Sequence, residues 1–427
     1  MKTKLLIYGI TGDLSRRKLL PALREIVAAQ AIKDLEIIGV SRRAVDIDSL
    51  LTESVGDTSL AAVTSIFSMD LSKVEDYRRL KQYVDLQDDE QLVVYMSVPP
   101  AATSQIVDLM GEAGINGPNV KLLFEKPFGM DYESAKDVLA RTARFYEEDQ
   151  VYRIDHYLAK EMAQNLVAFR GRNALFDRLW NHEHIQSIEI IASENIGIEG
   201  RAQFYEQAGA LRDVVQGHLM QLLALVLMDI PEHFDWSQLP ALRLRALEQI
   251  EPAHVDAALR AQYEGYQDEV ENPGSRTETY VSLELASNDP QWRGVPIRLV
   301  TGKALKEKTT EIRIHLKKTH DSQSNQITFH IQPNEGIDMQ LYVKKPGYSR
   351  EFETQTLGFS YPEHAKLPDA YEQVIVDAIN GRKNLFTESG EVLRSWQILQ
   401  PLLDAWSMDD APFATYPKNG GHHDTVG

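Results

Sequence analysis

The sequence predicts an α/β, Rossmann-like dinucleotide-binding domain followed by an α+β domain with a large, mostly antiparallel sheet and helices on one face. Three observations support this. The chain has 427 residues, more than one hydrophobic core usually serves. Short apolar runs alternate with helical patterns up to about residue 150, which is typical of parallel βαβ units. Strict alternation of apolar and polar residues follows later, which favours antiparallel strands with one buried face.

The dinucleotide-binding domain is predicted over residues 1–150. A helix is expected after the first apolar run because Leu19, Leu20, Leu23, Ile26 and Val27 have the spacing that buries one helical stripe. Strand followed by helix is therefore the repeating unit, and the strands are predicted at residues 5–8, 35–40, 92–97 and 120–124.

The second domain is predicted over residues 151–415, as a substrate-binding and oligomerisation domain. Its first part, residues 158–265, is rich in helical patterns, and a last helical signal covers residues 369–406. Residues 416–427 lack any periodicity, so we expect a mobile tail. The alternating strands are predicted around Ile188 and Ile190; Val281, Leu283 and Leu285; Ile312, Ile314 and Leu316; Ile327, Phe329 and Ile331; and Leu341 and Val343.

Composition excludes several classes of function. The chain has 45 Lys and Arg against 63 Asp and Glu, a net charge of −18, which argues against nucleic-acid or anionic-membrane partners. It has no cysteine, which excludes disulfides, thiolate metal sites and cysteine nucleophiles. The N-terminal apolar run is too short for a signal peptide, so we expect a soluble, cytoplasmic protein. An anionic ligand would need its own basic site.

The first strand runs into a turn, Gly9-Ile10-Thr11-Gly12-Asp13-Leu14, that precedes an amphipathic helix. Glycines in such a turn allow backbone N–H groups and a helix N-terminus to approach a pyrophosphate. The pattern lacks the full G-x-G-x-x-G spacing, so a strand–turn–helix connection without a ligand remains an alternative.

The second predicted strand ends at Arg42 and Arg43, where a fold that prefers NAD would place an acidic residue. Guanidinium groups suit the 2′-phosphate of NADP because they donate paired, charge-assisted hydrogen bonds. A solvated basic turn is the alternative.

Residues 151–166 hold an unusual density of ionisable groups, and they carry a family resemblance. Arg153, Asp155, His156, Tyr157, Lys160 and Glu161 lie within nine positions, which is costly in a core unless the groups pair or bind a ligand. The segment RIDHYLAKE resembles the signature of the glucose-6-phosphate dehydrogenase family. Six further segments resemble that family in the same order: GITGDLSRRKLLPAL, EKPFG at 125–129, LRD at 211–213 with a later His218, GKALKEK at 302–308, QPNE at 332–335 and KLPDAYE at 366–372.

The resemblance implies an NADP-dependent enzyme that oxidises glucose 6-phosphate at C1 to 6-phosphogluconolactone, the first step of the oxidative pentose phosphate pathway. NAD would be a poorer substitute, and no metal is expected. Removing hydride is easier when a base of pKa near 7 takes the hydroxyl proton, and histidine suits this task. The resemblance assigns that role to His218, with Asp155 holding its imidazole. A satisfied core histidine is the alternative.

The family pattern also implies the sugar and phosphate contacts. Asp213 lies about 140° around an α-helix from His218 and so does not share its face. The resemblance makes Asp213 a ligand of sugar hydroxyls together with Glu194. It assigns phosphate and sugar contacts to His156, Tyr157, Lys160, Lys303 and Lys308, although a solvent-facing lysine is the ordinary alternative for each lysine.

Further cofactor contacts are implied at Gly9, Thr11, Gly12, Asp13, Leu14, Arg42, Arg43, Tyr95, Pro99 and Lys126. Lys126 would lie between cofactor and substrate and precede a cis Pro127. The resemblance further implies a homodimer, or a dimer of dimers, built through the exposed face of the sheet.

The sequence departs from the family at four positions. Gly217 replaces an asparagine before the histidine, and Ala159 replaces a glycine before the lysine. His330 and Thr309 stand where a second, structural NADP site would need arginine and lysine, so we do not expect that site.

Three other readings stay open. A related two-domain oxidoreductase could act on another sugar, and a non-catalytic regulatory relative could share the fold. A metal hydrolase has weaker support from His182-Glu183-His184 and His422-His423-Asp424, because the first lies in a predicted loop and the second in the tail.

Overall fold

The structure is a computed structural model that describes residues 1–319, 324–362, 365, 367–410 and 413–421. The strands of this part of the chain are β1 (Lys2–Tyr8), β2 (Leu35–Ser41), β3 (Thr64–Ser68), β4 (Glu90–Met96), β5 (Val120–Phe124), β6 (Val151–Ile154), β7 (Ile185–Ser193), β8 (Ala258–Tyr263), β9 (Tyr280–Leu285), β10 (Ile297–Gly302), β11 (Thr309–Leu316), β12 (Gln326–Gln332), β13 (Gly336–Lys344), β14 (Phe352–Ser360), β15 (Phe386–Thr387) and β16 (Ala414–Tyr416).

The α-helices are α1 (Leu20–Ala28), α2 (Ile47–Val55), α3 (Val74–Val84), α4 (Pro100–Glu112), α5 (Tyr132–Thr142), α6 (Glu161–Arg172), α7 (Ala174–Asp177), α8 (Ala202–Ala210), α9 (Met220–Leu227), α10 (Leu239–Glu248), α11 (Tyr266–Glu269), α12 (Ala370–Ile379) and α13 (Ser389–Met408). Two segments have π-helical hydrogen bonding, Ser15–Leu19 and Leu211–Leu219.

The chain forms two compact units, Met1–Ala159 with Pro368–Val392, and Lys160–Leu367 with Leu393–Gly427. This corrects the predicted division at residue 150, because β6 and the later segment with α12 and β15 belong to the first unit. Phe386 of β15 pairs with Ile154 of β6, and Val374 and Ile375 of α12 are fully buried in the first core. The single helical signal predicted for residues 369–406 is two helices with β15 between them.

The first unit has a seven-stranded sheet in the order β15-β6-β5-β4-β1-β2-β3. All neighbours are parallel except β15 and β6, so the Rossmann-like prediction is confirmed. The strand order reverses between β1 and β4, and ligands of such sheets bind at this point, beyond the carboxyl ends of the strands. The sequence did not predict β3, which is short and half-exposed, or β6.

The second unit has a nine-stranded sheet in the order β14-β13-β12-β11-β7-β10-β9-β8-β16. Most neighbours are antiparallel, which confirms the prediction from alternating residues. The pairs β7–β10 and β8–β16 are parallel. The parallel pair β7–β10 brings the carboxyl ends of two central strands to one edge of the sheet.

The helical stretch Ala202–Leu227 lies in the core of the second unit. It is long and apolar enough to cross a membrane by length and composition, but 83% of its most apolar window is buried. Every residue of α9 is buried, and the preceding π-helical segment packs against β7 and β10. Its apolar character therefore reflects a core position.

The predicted mobile tail is wrong at its first residues. Tyr416 is buried and ends β16, which pairs with β8. The amide of Asn419 donates to the Ala304 carbonyl at 2.7 Å, and the Lys306 amide donates to the Gly420 carbonyl at 3.0 Å. Residues 422–427, with the His422-His423-Asp424 cluster, lie outside the described residues.

Candidate active site

The turn after β1 leaves no room for a side chain at its first glycine. Gly9 has φ +78°, and a Cβ there would lie 2.2 Å from the Ser97 carbonyl oxygen. The Gly12 amide donates to the Gly9 carbonyl at 2.8 Å, and the buried Ser15 hydroxyl donates to the same oxygen at 3.0 Å. The turn is thus tightly closed at the strand-order reversal, where a pyrophosphate can approach the backbone.

The other residues predicted around this turn lie close to it in the chain. Thr11 and Asp13 are exposed, and Asp13 pairs with Arg17 of the first helical turn at 2.8 Å. Leu14 packs partly against the core of the first unit. Pro99 is the residue before α4 and follows Ser97 by two positions. The Ser97 hydroxyl accepts a hydrogen bond from Ser15 at 2.9 Å.

Arg42 and Arg43 follow β2 and are exposed. Among the described residues, neither guanidinium makes a hydrogen bond or ion pair. The nearest acid in the chain, Asp46, accepts a hydrogen bond from the Ser49 amide at 3.0 Å and so caps α2. The end of β2 therefore presents two exposed guanidinium groups that can bind an anion, while the nearby Asp46 carboxylate caps α2.

Tyr95, predicted as a cofactor contact, lies inside the first unit. Its side chain is fully buried in the first core and its hydroxyl donates to Glu125. Burial raises the pKa of Glu125 to about 7, while the Tyr95 hydroxyl and the neighbouring Lys126 oppose that rise. The Tyr95 hydroxyl is therefore engaged by Glu125. The Lys126–Pro127 peptide is cis, as the resemblance implies, and Gln332–Pro333 is also cis.

The segment after β6 carries Asp155, His156 and Tyr157. Asp155 is 2% exposed, and its carboxylate accepts a hydrogen bond from the Tyr157 amide at 2.9 Å. The Tyr157 ring is also buried, with its centroid 5.1 Å from that of His156. The backbone turn thus fixes the direction of the carboxylate, while His156 stays half-buried.

Lys160 precedes the first residue of α6 and is half-buried. Glu335, from the QPNE segment, accepts a hydrogen bond from the Met162 amide at 2.9 Å and caps this helix. Burial raises the pKa of Glu335, and the Met162 amide and the Lys160 charge oppose that rise. The start of α6 therefore places the Lys160 ammonium beside a helix N-terminus whose Met162 amide is already bonded to Glu335.

Glu194 and Lys303 meet in an ion pair between their side chains. Glu194 follows β7 and Lys303 follows β10, and these strands are parallel with Ser193 opposite Gly302. The pair therefore forms because the carboxyl ends of two parallel strands meet. Lys303 is 3% exposed, whereas the Glu194 side chain is about one-third exposed. The Lys303 ammonium, predicted as a phosphate or sugar contact, is thus paired with Glu194 in this structure.

Tyr205 of α8 is a site residue that sequence reasoning missed. Its ring is fully buried, 5.2 Å from the Lys303 ammonium. Burial and the nearby carboxylates of Asp213, Glu278 and Glu194 raise the pKa of Tyr205 well above its usual range. In the sequence, Tyr205 is marked by its position in the helix that directly precedes the Leu211-Arg212-Asp213 motif.

The π-helical segment Leu211–Leu219 carries Asp213 and His218. Asp213 is half-buried and His218 is 6% exposed. The α-helical geometry assumed for this segment is wrong, because i→i+5 hydrogen bonds bring residues five apart towards the same side. Asp213 and His218 therefore lie closer to one face than an α-helix would allow.

The remaining predicted residues are less enclosed. Lys308 is exposed and lines a groove of about 580 Å³ with Lys306, Glu311 and His330. His330 contacts the carboxylates of Glu311 and Asp338, at 3.4 and 3.0 Å. His182 and His184 lie in the turn before β7, as predicted.

Comparison with known proteins decides the family. A family model described as "Glucose-6-phosphate dehydrogenase, NAD binding domain" matches residues 6–165, and one described as "Glucose-6-phosphate dehydrogenase, C-terminal domain" matches residues 167–424. The chain belongs to the glucose-6-phosphate dehydrogenase family. It is an oxidoreductase with a binding domain for a nicotinamide dinucleotide.

Individual members of the glucose-6-phosphate dehydrogenase family match nearly end to end. The chain is 33% identical to a glucose-6-phosphate 1-dehydrogenase of Borreliella burgdorferi, over 94% of this chain and 92% of that protein. It is also 33% identical to one of Dickeya dadantii, over 96% and 92%. A solved glucose-6-phosphate dehydrogenase in complex with its substrate glucose 6-phosphate is 30% identical, with a TM-score of 0.92 over 98% of this chain and 95% of that one.

Proposed function

We propose that this enzyme oxidises glucose 6-phosphate at C1 to 6-phosphogluconolactone, with hydride transfer to NADP. The observation that carries the proposal is the end-to-end similarity to family members, one of them solved with that sugar phosphate bound. Every residue that the resemblance assigns to sugar, phosphate or proton transfer is present. A nicotinamide dinucleotide, when bound, supplies the hydride acceptor.

In this proposal His218 takes the proton of the C1 hydroxyl, and Asp155 holds its imidazole and stabilises the imidazolium. Asp155 is suited to a fixed role because the Tyr157 amide orients its carboxylate. Lys160, His156 and Tyr157 bind the phosphate, and the half-buried start of α6 supports that assignment. Asp213 and Glu194 accept hydrogen bonds from sugar hydroxyls, with Lys303 holding Glu194 in place.

The preference for NADP over NAD rests on Arg42 and Arg43. Their guanidinium groups are exposed beyond β2, while Asp46 is committed to capping α2. The closed turn at Gly9 lies where the strand order reverses between β1 and β4, and this position supports a pyrophosphate site. Lys126 completes the cofactor contacts.

We further propose a cytoplasmic homodimer or dimer of dimers formed through the large sheet. The edge hairpin β13–β14 leaves Leu341, Leu357 and Phe359 between 40% and 53% exposed, which supports burial against a partner. Sedimentation velocity with a Leu357→Asp, Phe359→Asp double variant checks this. We expect monomers, and an unchanged assembly would remove the hairpin from the interface.

The catalytic proposal is tested by initial rates with glucose 6-phosphate or glucose, each with NADP or NAD. We expect the highest kcat/KM for glucose 6-phosphate with NADP. Equal use of glucose would favour a related sugar oxidoreductase, and no turnover of any combination would favour a non-catalytic relative.

The role of His218 is tested by His218→Asn, with the exposed His254→Asn as a matched control. Loss of a general base should lower kcat by about 10²- to 10⁴-fold while KM for the sugar phosphate changes little. His254→Asn should retain wild-type kcat. A His218→Asn enzyme with a tenth or more of wild-type kcat would contradict the assignment.

A further inference from the structure

We infer that Glu278 is a positioning residue that sets the start of the π-helical segment bearing Asp213 and His218; this inference rests on the proposed function. Glu278 lies just before β9 and is 4% exposed. Its carboxylate accepts a hydrogen bond from the Leu211 amide at 2.9 Å, and its carbonyl accepts one from the Ala210 amide at 2.9 Å. One residue therefore binds the two amides at which the segment begins.

The backbone before this segment is shaped to receive the Glu278 carboxylate. Gly209 has φ +62° and ψ 177°, a conformation that is essentially restricted to glycine. A Cβ at Gly209 would lie 2.3 Å from a Glu278 carboxylate oxygen. A side chain at position 209 would overlap the Glu278 carboxylate, so the glycine leaves the space that this carboxylate fills. The kink and the carboxylate together fix where α8 ends and the next segment starts.

The residue after Glu278, Thr279, contacts Lys303 at the end of β10. The Thr279 carbonyl accepts a hydrogen bond from the Lys303 amide at 2.9 Å. Tyr280, the next residue, lies opposite Gly302 in the β9–β10 pair. Glu278 therefore ties the segment carrying Asp213 and His218 to the strand end carrying Lys303, whose side chain pairs with Glu194.

The cost of burying this carboxylate indicates that its hydrogen bond matters. Burial raises the pKa of Glu278, and the Leu211 amide together with the charges of Arg212 and Arg260 opposes the rise. A buried acid held mainly by backbone amides is stabilised only while those amides keep their direction. The same contact therefore constrains the backbone that precedes Asp213.

Three substitutions separate this positioning role from a general contribution to folding. Glu278→Gln keeps an oxygen within reach of the Leu211 amide, and Glu278→Asp keeps the charge but shortens the reach. Glu278→Ala removes both. Glu206→Gln is the control, because Glu206 accepts hydrogen bonds from Tyr266, Asn272 and Ser275, which all lie outside the π-helical segment.

The measurement is kcat/KM for glucose 6-phosphate with NADP, and the kinetic isotope effect with substrate deuterated at C1. We expect Glu278→Asp and Glu278→Ala to lose about 10- to 100-fold in kcat/KM and to show a larger isotope effect on kcat, because misplaced groups slow the hydride step itself. Glu278→Gln and Glu206→Gln should stay within about threefold of wild type with an unchanged isotope effect.

An inactive wild-type enzyme would refute the proposed function and not this inference alone. With an active wild type, two results would overturn the positioning role. One is a normal Glu278→Asp enzyme beside an impaired Glu278→Gln enzyme, which would assign the effect to charge. The other is activity that falls only with the folded fraction, at a constant isotope effect. If Glu278→Ala does not fold, the Asp and Gln variants still decide between these results.

Discussion

The turn after β1 and the β7–β10 strand ends are both candidate ligand sites, but they are built from different groups. The turn is shaped mainly by backbone, since the Gly12 amide donates to the Gly9 carbonyl and a Cβ at Gly9 would overlap the Ser97 carbonyl; the Ser15 hydroxyl adds one side-chain bond to the Gly9 carbonyl. The strand ends are made of side chains, since Lys303 pairs with Glu194 and lies over the Tyr205 ring. A backbone site tolerates little change in shape, whereas a side-chain site depends on charge and on partners distant in sequence.

The largest effect on stability and on cofactor binding is expected when a side chain is added at Gly9 in the turn after β1. Gly9→Ala would place a methyl group 2.2 Å from the Ser97 carbonyl oxygen at a positive φ. We expect a free energy of unfolding lower by about 3 kcal/mol or more and loss of measurable dinucleotide binding. Thermal melts and NADP titration check this.

Gly56→Ala is the matched control for Gly9→Ala, because Gly56 has φ +82° but no atom within 4 Å of its Cβ position. It should cost only the strain of the backbone, about 1 kcal/mol. An equal loss in the free energy of unfolding at the two glycines would show that the overlap with the Ser97 carbonyl contributes nothing at Gly9.

The proposed phosphate contact at the start of α6 is tested by Lys160→Ala. Loss of a charge-assisted contact should lower kcat/KM for glucose 6-phosphate by about 2 to 4 kcal/mol, with a much smaller effect on unphosphorylated glucose. The control is Lys344→Ala, since Lys344 is exposed and, within the described residues, donates to the nearby carbonyls of Lys345 and Gly347. An equal loss with both sugars would end the phosphate assignment.

Arg42→Ala tests the one part of the dinucleotide site that depends on a side chain. It should reduce kcat/KM for NADP by roughly 1.5 to 3 kcal/mol, the scale of a hydrogen bond to a charged group, with little effect on NAD. The control is Arg78→Ala, which removes a surface ion pair with Glu75. It should leave kcat/KM unchanged with NADP and with NAD. A wild-type preference for NAD would identify the arginines as a solvated turn.

The smallest effect concerns the pH dependence of stability at Glu125. Its pKa is raised to about 7 in the folded protein, so the folded state binds more protons than the unfolded state between about pH 4.5 and 7. The contribution of Glu125 to stability must therefore fall as pH rises through that window. Glu125→Gln should gain about 1 to 2 kcal/mol relative to wild type on going from pH 5 to pH 7. Urea unfolding at the two pH values measures it, and a constant difference would contradict the raised pKa.

The contrast between the two sites also explains what could be predicted from the sequence. The turn at Gly9 was predictable because it is contiguous and follows an apolar strand, and the alternating strands were predictable from their period. The Glu194–Lys303 pair was not, because 109 residues separate its members and no local pattern shows that β7 and β10 are parallel neighbours.

Other differences have local physical causes. The π-helical winding at Asp213 begins where the Leu211 amide donates to the Glu278 carboxylate and just after the kink at Gly209, and both residues lie outside the segment itself. The return of α12 and β15 to the first unit depends on pairing between Phe386 and Ile154, which are also far apart in the chain. Tyr416 was assigned to the tail because a three-residue strand has no detectable period.

We propose that the dinucleotide and the sugar phosphate are bound by separate sets of groups, apart from Lys126, and calorimetric titration of each ligand alone measures this separation. With Arg42→Ala, we expect the Kd for NADP to rise by about tenfold or more while that for glucose 6-phosphate stays within about twofold. With Lys160→Ala, we expect the Kd for glucose 6-phosphate to rise by about tenfold or more while the Kd for NADP stays within about twofold. If either variant, shown to be folded, weakened both ligands equally, the account of two separately built sites would be contradicted.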